Sequence, residues 1–237
     1  MMRLKFWKKA EFVHTNAEEA LAPLPQVFRL ALLSMYAGEP QQGTSGEKYP
    51  IDSKTLISPE QGMWIYDLCR ELKPKKTAEI GLAYGFSTIY ILAALHENGA
   101  GLHFAIDPCQ SSDFHDIGLC QPAKVGMSSA FRFIPERSVP AFVDLIRSGD
   151  FFEFIFIDGS HHFDDALADF MLSSEVCLPG GCIVFDDMWL PAIQRAVSFV
   201  RTNRADFAEM PTPIPNIAAF RKIAKKDTRD SSHYVDF

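Results

Sequence analysis

The chain has 237 residues, a formal net charge of −7 and a hydrophobic fraction of 47%. This length suits one large domain, or one domain with a small appendage, and the hydrophobic fraction is sufficient for a sizeable core. The 30 acidic residues outnumber the 23 basic ones, which argues against a nucleic-acid partner because such proteins carry a basic face.

The cysteine pattern and the N-terminal residues indicate the cellular compartment in which the protein is expected. Five scattered cysteines form no CxxC pair, which disfavours a disulfide framework or a zinc site and favours a reducing cytoplasm. The stretch MMRLKFWKKAEF has basic residues but no apolar run after them, so it is a poor signal peptide. No apolar run reaches membrane-spanning length. We therefore expect a cytoplasmic protein without a membrane partner.

Residues 1–57 are predicted to form an N-terminal helical extension followed by a lid-like loop. Residues 1–40 have a helical pattern, in which Val27, Leu30, Ala31 and Met35 fit one apolar helix face. Residues 38–58 are polar and rich in turn formers, as lids and disordered segments often are. The helices of this extension are where we expect a homo-oligomer to form its contacts.

Residues 58–224 are predicted to form an α/β domain, and residues 225–237 a polar tail. Ser58 and Pro59 suit the N-cap and first position of a helix that runs to about Leu72. Strands and helices then alternate. The strands lie near 77–81, 102–107, 130–135, 153–158, 182–187, 206–211 and 216–223, and the helices near 86–97, 115–126, 138–148, 162–177 and 190–203. Apolar strands alternating with helices predict a doubly wound, Rossmann-like, seven-stranded and mostly parallel sheet with helices on both faces.

The first strand of this domain ends in a glycine-containing turn, EIGLAYGFST. Ligands of such folds bind beyond the carboxyl ends of the strands, and Gly81 and Gly85 allow a ligand close to the backbone. Ser87 lies near a helix N-terminus, which favours an anionic group. Asp107 ends the second strand, where a carboxylate can accept hydrogen bonds from ribose hydroxyls. The spacing is GxxxG rather than GxGxxG, which disfavours a nicotinamide oxidoreductase, and an ordinary structural turn is the alternative.

Acidic residues end the next two apolar strands of the predicted sheet. Asp158 follows one strand in FIDGSHHFDD, and Asp186 and Asp187 follow the next. Neighbouring strands lie about 4.8 Å apart, so we expect these carboxylates to converge and to repel one another unless a cation neutralises them. Oxygen ligands suit Mg²⁺ or another hard divalent ion. The alternative is that the acids only cap helices, as Asp164 and Asp165 are expected to do.

E-x-G-x-x-x-G-x-S followed by I-D-P resembles motifs I and II of class I S-adenosylmethionine-dependent methyltransferases. The segment EIGLAYGFST is similar to the corresponding segment of the catechol-O-methyltransferase-like branch and of its macrocin-type, sugar-modifying relatives. The resemblance covers about residues 57–223. It implies that Gly81 and Gly85 pass the methionine part of the cofactor, Ser87 meets its carboxylate and Asp107 holds its ribose. It further assigns Glu79 to the turn or the amino group and Ser138 to the adenine, and adds Ala83 and Asp158 to the cofactor-binding residues.

The same resemblance implies a metal-assisted reaction. Metal-dependent members bind a divalent ion at positions that correspond to Asp158, Asp186 and Asp187, and the sugar-modifying enzymes use a histidine as base where this chain has His161. Catechol enzymes have lysine at that position and Asp-Asn at the pair, so the fit is better to sugar-type or general small-molecule enzymes.

We expect an S-adenosylmethionine-dependent, Mg²⁺-assisted O-methyltransferase with a small-molecule methyl acceptor, sugar-like or carrying vicinal oxygens, in which Asp158 and His161 are the catalytic residues. The alternatives are a metal-independent methyltransferase and a non-catalytic S-adenosylmethionine-binding or hydroxylase-accessory protein.

Overall fold

The computed structural model describes residues 17–237. The helical prediction for residues 1–16 and the argument from MMRLKFWKKAEF lie outside the described residues. Within residues 17–237, no helix combines the length and the apolar character that crossing a membrane would require.

The centre of the fold is a seven-stranded sheet in the order β5-β4-β3-β6-β7-β9-β8. Its strands are β3 (Lys76–Ile80), β4 (Leu102–Ile106), β5 (Phe131–Ile134), β6 (Phe152–Ile157), β7 (Cys177–Phe185), β8 (Phe207–Met210) and β9 (Ala218–Lys222), and a separate hairpin is formed by β1 (Gln41–Gln42) and β2 (Lys48–Tyr49). Strands β3 to β7 pair in parallel, and β9 pairs antiparallel with both β7 and β8. The predicted mostly parallel, doubly wound sheet is confirmed.

Helices connect the strands and cover the sheet. They are α1 (Ala17–Ala20), α2 (Gln26–Tyr36), α3 (Pro59–Leu72), α4 (Phe86–Asn98), α5 (Gln110–Asp113), α6 (Ile117–Lys124), α7 (Ser138–Ser148), α8 (Phe163–Val176) and α9 (Pro191–Asn203). The predicted start of α3 is confirmed, because Ser58 forms a capping box with Gln61. Helix α7 ends at Ser148 and is capped by Gly149, whose φ of 72° suits a residue without a Cβ.

Two apolar cores lie on the two faces of the sheet, and the side chains of β6 alternate between them. Phe154 and Phe156 join the core that contains α2, α3 and α4. Ile155 and Ile157 join the core that contains α7, α8 and α9. Both faces of the sheet are therefore covered, as the uninterrupted apolar strands predicted.

The apolar face predicted for the N-terminal helix is partly wrong. Ala31 and Met35 are buried, but Val27 and Leu30 are 45% and 54% exposed. The buried stripe of α2 includes Phe28 and Leu32 instead, because this is the side that packs against α4.

The segment after α2 is more regular than the predicted loop. Hairpin β1–β2 and a 3₁₀ turn at Ser53–Thr55 occupy residues 38–58. The hydroxyl of Tyr84 accepts a hydrogen bond from the backbone N–H of Asp52, which ties this segment to the turn after β3. The later residues of this segment, Lys54–Ile57, line a cavity at the carboxyl edge of the sheet.

Candidate active site

A cavity of about 370 Å³ opens at the carboxyl edge of the sheet. It lies where the strand order reverses. From β3 the chain continues to β4 and β5 on one side of β3, and then crosses to β6 on the other side. Ligands of open α/β sheets bind at this kind of position. The walls include Lys54–Ile57 from the segment after β2, together with the turns that follow β3, β4, β5, β6 and β7.

Eight of the predicted site residues line this cavity: Gly81, Ala83, Asp107, Ser138, Asp158, His161, Asp186 and Asp187. Glu79, Gly85 and Ser87 are not part of its wall. The structure therefore brings residues of the predicted cofactor site and of the predicted metal site to one edge of the sheet. Three of the predicted cofactor-binding residues lie behind the wall of the cavity.

Gly81 brings the turn after β3 against the turn after β6. A Cβ on Gly81 would lie 2.0 Å from the carbonyl oxygen of Asp158, and the φ of Gly81 is +91°. Both the close approach and this backbone conformation require glycine. The glycine-containing turn after β3 is consequently in direct backbone contact with Asp158, the predicted catalytic aspartate.

Asp107 holds the glycine-containing turn through its carboxylate. Oδ2 accepts hydrogen bonds from the backbone N–H groups of Leu82 (3.1 Å) and Ala83 (2.9 Å) and from the Gln110 amide (2.9 Å). Oδ1 accepts from the N–H of Cys109 at 2.7 Å. The carboxylate predicted to hold a ribose thus also shapes the turn next to it.

Glu79 lies fully buried behind the turn. It accepts hydrogen bonds from the hydroxyl groups of Ser87, at 2.6 Å, and of Thr88. Nε2 of His103 lies 3.1 Å from its Oε1. Of the two roles expected for Glu79, this arrangement fits support of the turn. The Ser87 hydroxyl is engaged inside the protein, so its expected contact with a ligand carboxylate stays a prediction.

Asp158, His161 and Asp187 form a compact group on the other side of the Gly81 contact. Their ligand atoms all lie within 4.8 Å of one another. Nε2 of His161 is 2.8 Å from Oδ2 of Asp187 and 3.8 Å from Oδ1 of Asp158. Interactions with Asp158 and Asp187 raise the pKa of His161 to about 10. Burial raises the pKa of Asp158 to about 6, with His161 acting in the opposite direction and Asp187 adding to the increase.

Asp186 is held by amide groups that the sequence did not indicate. Its Oδ1 accepts from Nε2 of Gln61 (2.7 Å), Nδ2 of Asn216 (2.8 Å) and the backbone N–H of Asp187 (2.7 Å). Burial and the charges of Asp158 and Asp187 raise the pKa of Asp186 well above its usual range. Gln61 was predictable only as a helix-capping residue, and Asn216 lies in a turn-rich segment without a motif.

Asp187 has the left-handed backbone conformation, with φ of 57°. This conformation is uncommon for a residue with a Cβ, and such residues concentrate at functional sites. Its Oδ1 accepts from the indole N–H of Trp189 at 2.7 Å. Burial acts to raise the pKa of Asp187. The hydrogen bonds with His161 and Trp189 act in the opposite direction and hold this pKa below its usual range. Trp189 is 53% exposed, and its indole orients the carboxyl group of Asp187.

The donor set fits a hard divalent cation. Asp158, Asp186 and Asp187 present carboxylate oxygens at neighbouring strand ends, and like charges held this close favour binding of a cation. Asp158 and Asp187 would be the central ligands, because His161 and these two carboxylates form the compact group. Oδ1 of Asp186 is already occupied by three N–H donors, which leaves its other oxygen for a cation.

Comparison with known proteins agrees with this geometry. Residues 78–188 match the family model described as a methyltransferase domain. A caffeoyl-CoA O-methyltransferase of Stellaria longipes is 27% identical over 115 residues, which cover 47% of this chain and 46% of the relative. Another, from Populus kitakamiensis, is 24% identical over 83% of this chain and 82% of its own. The chain thus spans about half the length of the first of these curated relatives.

The solved structure of an O-methyltransferase from Bacillus cereus in complex with SAH has the same fold. Its TM-score is 0.64 at 17% sequence identity, and the superposition covers 87% of this chain and 95% of that one. The strand order and the position of the cavity are those of the fold that this O-methyltransferase has. Residues 78–188 are thus similar to a methyltransferase domain, and both of these curated relatives are named as O-methyltransferases.

Proposed function

We propose that the protein transfers a methyl group from S-adenosylmethionine to a hydroxyl of a small molecule, with assistance from a divalent metal ion such as Mg²⁺. The observation that carries this proposal is the convergence of Asp158, His161 and Asp187 directly beside the Gly81 turn. A sugar-like acceptor or one with vicinal oxygens fits the group, since hard divalent cations prefer oxygen ligands, which both the carboxylates and such an acceptor would supply.

The donor is proposed to lie along the cavity edge that begins at Gly81. Gly81 and Ala83 would pass its methionine part, Asp107 its ribose and Ser138 its adenine, and all of them line the cavity. Glu79, Gly85 and Ser87 would act from behind by holding the turn. Support comes from the Bacillus cereus neighbour, which has this fold and was solved with SAH.

The chain's own residues would orient the acceptor and take up its proton. Asp158, Asp186 and Asp187 would hold the metal ion, which when bound lowers the pKa of the acceptor hydroxyl and orients its oxygens. A cation held by Asp158 and Asp187 would neutralise the charges that keep His161 protonated, so His161 would release that proton to solvent and its neutral Nε2 could accept the hydroxyl proton. The methyl group then moves in line from sulfur to oxygen, and S-adenosylhomocysteine leaves, so positioning supplies much of the rate.

A metal-independent methyltransferase is the second candidate, and one contact favours it. The His161 imidazole lies 2.8 Å from Asp187, so a protonated His161 can itself neutralise the carboxylates. In that case the acidic residues shape a polar pocket and hold His161 in place.

The deciding experiment measures methyl transfer to catechol, caffeoyl-CoA and sugar acceptors with Mg²⁺ and with EDTA. The proposal expects activity to fall about 100-fold or more in EDTA and to return with Mg²⁺. Full activity in EDTA would establish the second candidate. Binding of S-adenosylhomocysteine without turnover on any acceptor would instead indicate a non-catalytic binding protein.

His161→Gln tests the proposed base, and His162→Gln is the matched control. Loss of a general base typically lowers the rate by about 10²- to 10⁴-fold, which is the effect we expect for His161→Gln. The neighbouring His162 is exposed, and its imidazole contacts Ser160 and Asp165 but does not line the cavity, so its substitution should leave the rate unchanged. Unimpaired activity of His161→Gln would remove the base role.

The domain boundaries, the cytoplasmic location and a homo-oligomer through the N-terminal helices stay predictions. The five cysteines are free thiols, which fits the reducing compartment expected for the chain.

A further inference from the structure

One buried amide joins the start of α3 to the carboxyl groups that follow β7. Gln61 is 6% exposed, and both ends of its side-chain amide are hydrogen-bonded. Oε1 accepts from the backbone N–H of Ser58 at 2.9 Å, and Nε2 donates to Oδ1 of Asp186 at 2.7 Å. An amide has one accepting end and one donating end, so both contacts fix the same orientation of the side chain. Gln61 therefore connects α3 to a residue that lies 125 positions further along the chain.

The helix start alone does not explain an amide at position 61. Gln61 is the N3 residue of a capping box, in which the Ser58 hydroxyl accepts from the backbone N–H of Gln61 at 3.2 Å. A glutamate at N3 completes a capping box equally well, and its charge suits the first turn of a helix. An ionised glutamate, however, has no N–H group to donate to Asp186. The contact with Asp186 therefore explains the N–H donor of Gln61.

Gln61 meets the cavity only through other residues. The segment Lys54–Ile57 lines the cavity, and Ser58 is the next residue along the chain. Asp186 also lines the cavity, whereas Gln61 and Ser58 are not part of its wall. A shift of the wall segment would thus reach Asp186 through the backbone of Ser58 and the amide of Gln61.

We propose that Gln61 is a positioning residue, which fixes the carboxyl group of Asp186 relative to the cavity wall at Lys54–Ile57. This inference rests on the metal site of the proposed function, in which Asp186 is one of three carboxylate ligands. Oδ1 of Asp186 accepts from three N–H groups, and of these the Gln61 amide is the one connected to the wall segment. A cation at Asp186 would restrain the wall through this connection, and by reciprocity a restrained wall would favour binding of the cation.

The first test measures binding of Mn²⁺ in the presence of S-adenosylhomocysteine and without a methyl acceptor, from the electron paramagnetic resonance signal of the free ion. Mn²⁺ is a suitable probe because it prefers the carboxylate ligands that also suit Mg²⁺. Gln61→Leu has a side chain of similar size that can form neither hydrogen bond. We expect its Kd for Mn²⁺ to be at least about tenfold higher than that of the wild type, as for other residues that orient metal ligands.

Ser58→Ala is the matched control, because it weakens the same helix start and keeps both contacts of the Gln61 side chain. It removes only the hydroxyl that accepts from the backbone of Gln61, and the backbone N–H of Ser58 is still present. We expect both variants to unfold at a lower temperature than the wild type, but only Gln61→Leu to bind Mn²⁺ more weakly. Equal Kd values of Gln61→Leu and the wild type overturn the inference, as does an equal rise of the Kd in both variants.

The second test follows hydrogen exchange of residues 54–58 by mass spectrometry, without Mg²⁺ and with Mg²⁺ at a concentration that saturates each variant. In the wild type we expect Mg²⁺ to slow exchange in this segment, because the ion restrains Asp186 and through it Gln61 and Ser58. The same difference should persist in Ser58→Ala and disappear in Gln61→Leu. A wild type that binds Mn²⁺ but shows no effect of Mg²⁺ on residues 54–58 overturns the inference, and this result requires no variant to fold.

Failure of this inference is distinct from failure of the proposed function. A wild type that binds no Mn²⁺ would overturn the metal site and the role of Gln61 together. Binding of Mn²⁺ with the expected effect of Gln61→Leu, but without methyl transfer to any acceptor, would support the role of Gln61 and overturn the proposed reaction only.

Discussion

Asn216 joins the two adjacent aspartates at the end of β7. Its Nδ2 donates to Oδ1 of Asp186 at 2.8 Å and to Oδ1 of Asp187 at 3.4 Å. Its backbone carbonyl accepts from the N–H of Met188 at 3.1 Å. Asn216 thus helps to orient both carboxyl groups.

The metal site of the proposed function predicts that Asn216→Ala lowers the apparent affinity for Mg²⁺, or the activity, about 10- to 100-fold, the usual effect of losing a residue that orients metal ligands. The measurement is the Mg²⁺ concentration that gives half-maximal methyl transfer. Asn203→Ala is the control, because buried Asn203 loses hydrogen bonds to Val235, a residue that does not line the cavity. A loss of stability without any shift in the Mg²⁺ curve would contradict the positioning role.

The residues of the site that follow strands were predictable from the sequence. Asp107, Asp158 and Asp186 each follow an apolar strand, and the carboxyl ends of parallel strands share one edge. Gln61 and Asn216 were not predictable, because they reach Asp186 from a helix start and from a loop far along the chain. No local pattern reports such a contact, since it depends on how the elements pack.

Helix α2 shows why its face was predicted incorrectly. The sequence QVFRLALLSMY carries apolar residues on most of its circumference, so periodicity alone selects no single side. Packing against α4 decides which side is buried, and Phe28 and Leu32 are fully buried there. Leu30 remains exposed because it points away from this contact.

A pair of leucine substitutions on this helix tests the packing. Leu32→Ala should lower the free energy of unfolding by about 2–5 kcal/mol, because it removes a buried side chain and leaves a cavity. Leu30→Ala should change it by less than about 0.5 kcal/mol, as expected for an exposed position. Urea denaturation of both variants measures the difference. Equal losses would show that the side of α2 facing the core has been assigned incorrectly.

Element boundaries were predictable where the sequence carries terminal signals. Ser58 with Pro59 marked the start of α3, and α7 occupies Ser138–Ser148, the predicted range. The hairpin β1–β2 was not predictable, because each of its strands has two residues. So short a pairing leaves no alternation of apolar and polar residues to detect.

On the scale of the whole molecule, Arg204 joins several elements at the sheet edge formed by β8 and β9. Its guanidinium group donates to both carboxylate oxygens of Asp206 at 2.8 Å, and both side chains are almost fully buried. The same group lies over the rings of Phe170 (5.0 Å) and Phe207 (5.2 Å). Asp227, in the predicted tail, lies 3.8 Å away. One buried cation therefore connects α8, α9, β8 and the residues after β9.

We expect Arg204→Ala to lower the free energy of unfolding by about 3–5 kcal/mol, since it leaves Asp206 as an unpaired buried charge. Arg201→Ala is the matched control, because Arg201 lies three residues earlier, in the last turn of α9. Arg201 forms a two-bond pair with Glu209, but this pair is exposed, so its loss should cost about 0–1 kcal/mol. Thermal and urea unfolding measure both values, and a small effect of Arg204→Ala would contradict the joining role.

The contact between Gly81 and Asp158 has a consequence for redesign of the enzyme. Because the carbonyl oxygen of Asp158 occupies the space of a side chain at position 81, any residue other than glycine there would displace the turn after β6. Position 81 is therefore closed to variation. The segment Lys54–Ile57 also borders the cavity but is distant from this contact along the chain, so substitutions there can change the cavity without disturbing the contact between the two turns.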